Sequence, residues 1–257
     1  MRYEAENLES LLKQIESFQL SGETFKVTYV KNNGQVKNEQ ESFENRRAIE
    51  REIGLHVNGK ADLREPDQLL GIMYVNGRWI FGEYVKSESI WFRHQQKPND
   101  YSTALSTRVA RAVVNIAIPN PIGVKAIDPC CGIGTVLVEA CSMGIDIVGS
   151  DRNPLILPGA RKNLAHFGLF AEINRADIRD ITKHYDVAII DLPYNLCSVI
   201  NPEEQLEMLQ SARRFASKVV VVTVEPIDEI LLNAGFTIID RAVAKKGTFI
   251  REVIVCT

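Results

Sequence analysis

The sequence lacks several features that would mark other classes of protein. Its longest mainly apolar run, Val219–Val224, has the length of a strand and is too short to cross a bilayer. The first ten residues are polar and lack the apolar core of a secretion signal, so we expect a cytoplasmic protein without a membrane partner. Five cysteines without CxxC spacing and only four histidines argue against a metal site and favour reduced thiols. The net charge of −3 means that any nucleic-acid contact needs a local basic patch.

The sequence contains enough apolar residues, 45% of the total, for a sizeable core, and its pattern changes along the chain. Residues 1–88 alternate helical and strand-like segments, including two apolar runs separated by Asn76-Gly77, a hairpin signal. We therefore predict a small α+β domain over residues 1–88, in the order helix–strand–helix–strand–strand. A linker and an amphipathic helix, Ala104–Ile118, follow over residues 89–120.

Residues 121–257 are typical of an α/β fold. Five apolar segments alternate with helical segments, and they are Val124–Ile127, Ile145–Ser150, Glu172–Arg175, Val187–Asp191 and Val219–Val224. This alternation predicts a doubly wound, Rossmann-like parallel sheet. The last two strand-like segments, Phe236–Ala244 and Thr248–Cys256, leave no room for a crossover helix between them. We therefore expect an antiparallel hairpin that completes a seven-stranded mixed sheet.

The first strand of this sheet leads into a pattern that is typical of a nucleotide-type cofactor site. Asp128 ends the strand, and a glycine-containing bend, Cys131–Thr135, leads into a helix. Glycines let the backbone approach a ligand closely, and helix N-termini favour anionic groups. Asp151, at the end of the second strand, suits the two hydroxyls of a ribose. After the third strand, Asp177 is placed to accept from an adenine amino group, and Ile178 to flank the ring. The loop matches neither the dinucleotide GxGxxG nor the Walker A pattern, which disfavours hydride transfer and NTP hydrolysis.

The fourth strand ends in Asp191-Leu192-Pro193-Tyr194. Here the chain resembles the class I S-adenosylmethionine-dependent methyltransferases that modify an exocyclic amino group of a nucleic-acid base. Their motif is Asp/Asn-Pro-Pro-Tyr/Phe/Trp, and this chain departs from it because Leu192 replaces the first proline. The resemblance implies that the Asp191 carboxylate and the Pro193 carbonyl accept the amino protons while Tyr194 stacks on the base. It also implies a cofactor-binding set of Asp128, Cys131, Gly132, Gly134, Thr135, Asp151, Arg152, Asp177 and Ile178.

A closer resemblance covers most of the chain. The segment ADLREPDQLLGIMYVNGRWIFGEY is similar to part of a THUMP domain, an RNA-binding module of tRNA-modifying enzymes. The helix LSTRVARAVVNI and the terminal KKGTFIREVIV resemble segments of THUMP-containing tRNA guanine-N2 methyltransferases. The resemblance implies S-adenosyl-L-methionine as cofactor and RNA, specifically tRNA, as partner. Those enzymes usually carry a further ferredoxin-like segment before THUMP, for which these residues leave no room.

Basic residues in two places could contact RNA. Arg93, His94 and Lys97 lie between the two predicted domains, and we expect them to bind phosphate. Arg46, Arg47 and Arg51 lie along one predicted helix, where an ordinary solvated face is an equal alternative.

The function that the sequence favours is methyl transfer to guanosine N2 in tRNA. Adenine N6 or ribosomal RNA as target, and a catalytically inactive RNA-binding module, remain as alternatives.

Overall fold

The structure, a computed structural model, describes residues 2–31, 42–101, 104–192, 201–246 and 249–257. The chain divides into two compact units, Met1–Glu88 and Ser89–Thr257. No helix in the described ranges combines the length and the apolar character that a membrane crossing requires.

The first unit packs two helices against a five-stranded sheet. Its elements are β1 (Arg2–Ala5), α1 (Leu8–Ile15), β2 (Thr24–Tyr29), α2 (Phe43–His56), β3 (Lys60–Ala61), β4 (Gln68–Val75) and β5 (Arg78–Glu83). The strand order is β1-β5-β4-β2-β3, with β2 parallel to β3 and β4 and the other pairs antiparallel. Leu11, Ile15, Phe25, Ile53 and Phe81 are among its fully buried side chains.

Local sequence signals explain much of this unit. Asn7 and Ser42 cap α1 and α2 by accepting hydrogen bonds from Ser10 and Asn45 backbone N–H groups. Asn76 and Gly77 both have positive φ angles, 50° and 77°, as a two-residue hairpin turn of the primed type requires. The predicted order of elements omitted β1 and the two-residue β3, which pair at opposite edges of the sheet.

The second unit is an α/β fold around a seven-stranded sheet. Its helices are α3 (Ile90–His94), α4 (Thr107–Ala117), α5 (Thr135–Ser142), α6 (Leu157–His166), α7 (Pro202–Phe215) and α8 (Asp228–Asn233). Its strands are β6 (Lys125–Asp128), β7 (Asp146–Asp151), β8 (Ile173–Arg175), β9 (Tyr185–Asp191), β10 (Ala216–Thr223), β11 (Ile238–Lys246) and β12 (Phe249–Cys256). The order in the sheet is β11-β12-β10-β9-β6-β7-β8. Only the pairs of β12 with its neighbours β10 and β11 are antiparallel within this sheet.

The central strands are buried on both faces of the sheet. Ile189 and Val220 belong to the apolar cluster on one face, and Ile190 and Val221 belong to the cluster on the other. Such strands form continuous apolar runs rather than an alternating pattern. The predicted fold class, a mixed seven-stranded sheet with a C-terminal antiparallel hairpin, is confirmed.

Candidate active site

The loop between β6 and α5 has the conformation that its glycines allow. Gly132 and Gly134 have φ angles of 52° and 76°, in the left-handed region that other residues rarely adopt. The Cys131 N–H donates to the Ser150 carbonyl (2.9 Å), and the Gly134 N–H donates to the Cys131 carbonyl (2.7 Å). These bonds fold the loop tightly against the end of β7 and present its backbone at the carboxyl edge of the sheet.

Asp151, at the end of β7, is bonded to this loop. One of its carboxylate oxygens accepts the Gly132 N–H at 3.0 Å, and the other accepts the Asn153 N–H at 2.9 Å. A carboxylate has about four lone-pair positions, so each oxygen can still accept a hydrogen bond from a hydroxyl group. Contact with a ribose therefore stays a prediction that this geometry permits.

Carboxylates surround the end of β6. The strand register places Asp151 on β7 and Asp191 on β9 two positions beyond the level of Asp128, on either side of it. Burial raises the pKa of the Asp128 carboxyl well above its usual range. The Cys130 N–H hydrogen bond (3.2 Å) lowers that pKa, whereas the charges of Asp191 and Asp151 raise it further. A positively charged ligand at this edge would offset the repulsion.

Three other predicted cofactor residues have partners within the protein. Arg152 pairs with Glu204 at 2.6 Å. Asp177 caps the turn Ile178–Asp180, and its carboxylate accepts from both the backbone and the guanidinium of Arg179. The Arg179 side chain holds the pKa of Asp177 below its usual range. Ile178 is buried in one of the two sheet-face clusters. Adenine contacts by Asp177 and Ile178 stay predictions. To make them, each side chain would have to contact the adenine in addition to its present partners.

The end of β9 carries Asp191 and Leu192. Asp191 lies opposite Val222 in the β9–β10 ladder, and the Leu192 N–H continues the ladder by donating to the Val222 carbonyl at 3.0 Å. The Leu192 side chain is 2% exposed and packs in the core. Proline has no N–H, so the departure from the family motif adds a hydrogen bond that the usual residue could not make. Pro193 and Tyr194 lie outside the described residues.

Two of the three predicted phosphate-binding residues are not available for that role. The His94 ring is 4% exposed, bonded to the fully buried Glu139 at 2.7 Å and packed against Phe167. Lys97 is also buried and pairs with Asp100 at 3.0 Å. The expectation for His94 and Lys97 is therefore wrong, because the connector that carries them is packed into the second unit. Arg93 is exposed, and its RNA contact stays a prediction.

Comparison with known families identifies the second unit. A family profile described as the RMKL-like methyltransferase domain matches residues 94–222, half of the chain. The chain belongs to this family. The predicted resemblance to S-adenosylmethionine-dependent methyltransferases is thereby confirmed for this domain.

Relatives of this RMKL-like protein include enzymes of known name. The tRNA (guanine(10)-N2)-dimethyltransferase of Methanothermobacter thermautotrophicus is 30% identical over 207 residues, which are 75% of this chain and 58% of that protein. The human U6 snRNA (guanine-N(2))-methyltransferase THUMPD2 is 31% identical over 147 residues, 54% of this chain and 28% of that protein. The chain thus spans little more than half the length of the archaeal relative. The crystal structure of TrmN from Thermus thermophilus, with a TM-score of 0.52 and 19% identity, covers all of this chain and 80% of that one, and it shows the shared fold.

The residues of this RMKL-like protein fit S-adenosylmethionine. The Thr135 hydroxyl, at the first residue of α5, is buried and has no hydrogen-bond partner within the described part of the chain. The Ser150 hydroxyl on β7 is also buried, and the described residues provide no hydrogen-bond partner for it. Buried polar groups of this kind are costly unless a ligand or water completes them. Together with the carboxylates they suit a cationic ligand that carries several hydrogen-bonding groups.

The two loop cysteines of the RMKL-like unit do not have the lowered pKa that is typical of reactive thiols. Burial raises the pKa of the Cys130 and Cys131 thiols, and the neighbouring Asp128 raises both further. A thiol with a raised pKa carries little thiolate at neutral pH. Cys131 is therefore placed in the loop for packing, as its position in the apolar cluster indicates.

Sequence reasoning missed two buried polar residues beside the cofactor loop. Glu139, on α5, binds His94 and also the Arg111 guanidinium at 3.3 Å. Its sequence context, a lone charge inside the apolar helix TVLVEACS, could have indicated a buried ion pair. Asn163, on α6, is fully buried and donates to the Ile133 carbonyl of the loop at 2.9 Å. Nothing in its sequence context distinguishes it from a surface asparagine.

Proposed function

We propose that the protein transfers a methyl group from S-adenosylmethionine to an exocyclic amino group of an RNA base, most specifically N2 of a guanosine in tRNA. The observation that carries the proposal is the position of Asp191. It ends β9, and β9 is the neighbour of β6, whose end leads into the cofactor loop. A base amino group held by Asp191 would therefore lie at the same sheet edge as the methyl donor.

Each residue at the end of β9 has a separate role in the proposed reaction. The cofactor, when bound, supplies an electrophilic methyl group. Asp191 accepts a hydrogen bond from one N–H of the amino group, and the Pro193 carbonyl accepts a hydrogen bond from the other N–H, which turns the nitrogen lone pair towards the methyl group. Tyr194 provides a ring face for the base, worth about 1–3 kcal/mol. The hydrogen bond of Leu192 to Val222 holds Asp191 at a defined place on the strand.

The first unit is a THUMP-like domain that binds the RNA. Its support is a groove of about 810 Å³ beside α2, lined by apolar side chains and by Arg46, Arg47 and Arg51. Both Arg46 and Arg47 lie over the ring of Phe43, which is 64% exposed. Exposed aromatic rings combined with guanidinium groups are typical of surfaces that bind single-stranded nucleic acid. With tRNA as the substrate, we propose that the protein acts in the cytoplasm.

The alternatives differ in the target or in the presence of activity. Adenine N6 and ribosomal RNA use the same geometry at Asp191, and the human relative is named for a guanine in U6 snRNA. An inactive RNA-binding module is the alternative that the departure from the motif at Leu192 would favour. The burial of Leu192 and its hydrogen bond to Val222 hold the residue after Asp191 against β10, which favours the active enzyme.

The test is methyl transfer to unmodified tRNA, with the modified nucleoside identified by mass spectrometry. We expect N2-methylguanosine with the native chain and a loss of about 100-fold in turnover with Asp191→Ala. Calorimetry should show that Asp191→Ala still binds S-adenosylmethionine. Asp186→Asn, at the other end of β9, is the control, because asparagine can still accept the Lys125 N–H. N6-methyladenosine as product would move the target to adenine, and normal turnover of Asp191→Ala would reject the role of Asp191.

A further inference from the structure

The outer face of α3 carries an aromatic residue next to a basic one. Phe92 is 61% exposed and Arg93 is also exposed, whereas the following residue, His94, is buried. The His94 ring is bonded to the fully buried Glu139 on α5 at 2.7 Å. This inner contact holds α3 against the second unit and leaves Phe92 and Arg93 on the side of the helix that faces solvent.

A tryptophan connects this face to the first turn of α4. The centroid of the Trp91 ring lies 6.0 Å from that of the Phe92 ring, in an edge-to-face arrangement. The exposed Arg108 of α4 places its guanidinium over the Trp91 ring, 5.8 Å from the centroid. Trp91, Phe92, Arg93 and Arg108 therefore form one continuous patch, which we call the α3–α4 surface.

The direction of α4 shows where this surface lies relative to the sheet. Near the start of β10, the Lys218 ammonium donates to the Ile116 and Ala117 carbonyls at 3.1 and 2.8 Å, so α4 ends at the amino edge of the sheet. α4 packs along β9 and β10. Its 11 residues span about 16 Å, close to the length of β10 beyond Lys218. The first turn of α4, with Arg108, thus lies towards the carboxyl edge, where β9 ends in Asp191.

The side chains of the α3–α4 surface suit an unpaired nucleotide of RNA. An exposed ring offers a face on which an unstacked base can lie, and guanidinium groups beside it bind phosphate. Among the described residues, no carboxylate pairs with the guanidinium of Arg93 or Arg108. Both charges are therefore available to an anionic ligand, although the chain as a whole has a net charge of −3.

We propose that the α3–α4 surface binds the RNA substrate beside the target nucleotide, with an unstacked base on Phe92 and flanking phosphates at Arg93 and Arg108. A base that is to be methylated has to leave its stack, and a neighbouring nucleotide bound at the same edge of the sheet would stabilise the opened strand. This inference rests on the proposed function and deepens it by naming a second RNA-binding surface besides the α2 groove. It does not depend on which base is modified.

The test is the affinity for an unmodified tRNA transcript, measured by fluorescence anisotropy at several salt concentrations. Phe92→Ala should bind the transcript about 10-fold more weakly with an unchanged salt slope, because it removes a stacking face but no charge. Arg93→Ala and Arg108→Ala should each weaken binding and reduce the salt slope by about one. Phe92→Trp keeps an aromatic face and should retain most of the native affinity.

Matched controls are available at the opposite edge of the same sheet. Phe170 is 88% exposed and lies shortly before β8, and Lys183 lies over the Tyr185 ring shortly before β9. Phe170→Ala and Lys183→Ala should each change the tRNA affinity less than about twofold. All variants should bind S-adenosylmethionine as the native chain does, which would show that the second unit is still folded.

Each outcome decides the inference. It is overturned if Phe92→Ala binds tRNA like the native chain, if Phe170→Ala loses as much affinity, or if the native chain binds no tRNA. A change in oligomeric state of Phe92→Ala, seen by light scattering at native tRNA affinity, would assign the surface to a second copy of the chain instead. The expected losses together with a native chain that methylates no RNA would uphold the inference and reject the proposed function. Methylation of tRNA that Phe92→Ala leaves unaffected would do the reverse.

Discussion

Leu192 offers a direct test of whether the departure from the family motif weakens or supports the site. Replacing it with proline would restore the usual pair of prolines before the aromatic residue. Motif similarity alone predicts that this change improves the enzyme. The structure predicts the opposite, because the Leu192 N–H is bonded to the Val222 carbonyl and the side chain is buried.

The size of the effect follows from three contributions. Leaving the buried Val222 carbonyl unpaired costs about 1–3 kcal/mol. Loss of one buried carbon costs about 0.8 kcal/mol. Proline makes the unfolded chain less flexible, which stabilises the folded protein by about 0.4–1 kcal/mol. We therefore expect Leu192→Pro to lower the free energy of unfolding by about 2 kcal/mol, which corresponds to a Tm lower by about 6 °C for a unit of this size.

Thermal unfolding followed by circular dichroism measures this change, and methyl-transfer turnover measured below the new Tm shows whether the site is affected as well. Leu192→Met is the matched control, because methionine keeps the backbone N–H and nearly the same volume and should cost less than about 1.5 kcal/mol. The reasoning is refuted if Leu192→Pro is as stable as the native chain and turns over faster. The missing proline would then be a defect and the hydrogen bond to Val222 unimportant.

Two other predictions concern charge. Because the folded protein raises the pKa of Asp128, it holds a proton that the unfolded chain has released, and the free energy of unfolding falls as pH rises above about 4. Urea unfolding at a series of pH values measures this dependence. The free energy of unfolding should fall with pH in the native chain and in the control Asp146→Asn, at the amino end of β7, but should change much less in Asp128→Asn. The same pH profile in the native chain and both variants would contradict the role of Asp128. Arg47→Ala, in the α2 groove, should weaken RNA binding and reduce the salt slope by about one. The control Arg2→Ala, on the edge strand β1, should change neither the RNA affinity nor the salt slope. Equal losses of affinity in Arg47→Ala and Arg2→Ala would show that the α2 groove is not the RNA-binding surface.

The sequence pattern predicted the second unit well because its strands are buried on both faces. Runs such as Val219–Val224 and turn residues between them define a parallel sheet without knowledge of distant contacts. The same approach missed β1, because four residues of mixed character, RYEA, form a strand only by pairing with β5. It also missed α8, a six-residue helix whose single fully buried side chain is Leu231.

The candidate site was predictable where backbone conformation determines it and not where tertiary contacts do. Gly132 and Gly134 are required by their positive φ angles, which a glycine-rich bend predicts. His94 and Lys97 looked like surface residues because the connector is polar. Their burial depends on Glu139 and Asp100, and no local pattern relates His94 to a partner 45 residues away. The roles of Pro193 and Tyr194 stay predictions.

The strand order of the second unit has a consequence for how the enzyme is made. The sheet positions β12 (Phe249–Cys256) between β10 and β11, although β12 follows the six other strands of this sheet along the chain. A nascent chain that already contains every residue of the proposed site still exposes the Val219–Val222 flank of β10 until β12 emerges from the ribosome. Exposed strand edges of this kind favour aggregation, so premature termination after residue 246 should leave a product that misfolds rather than a slightly shortened enzyme.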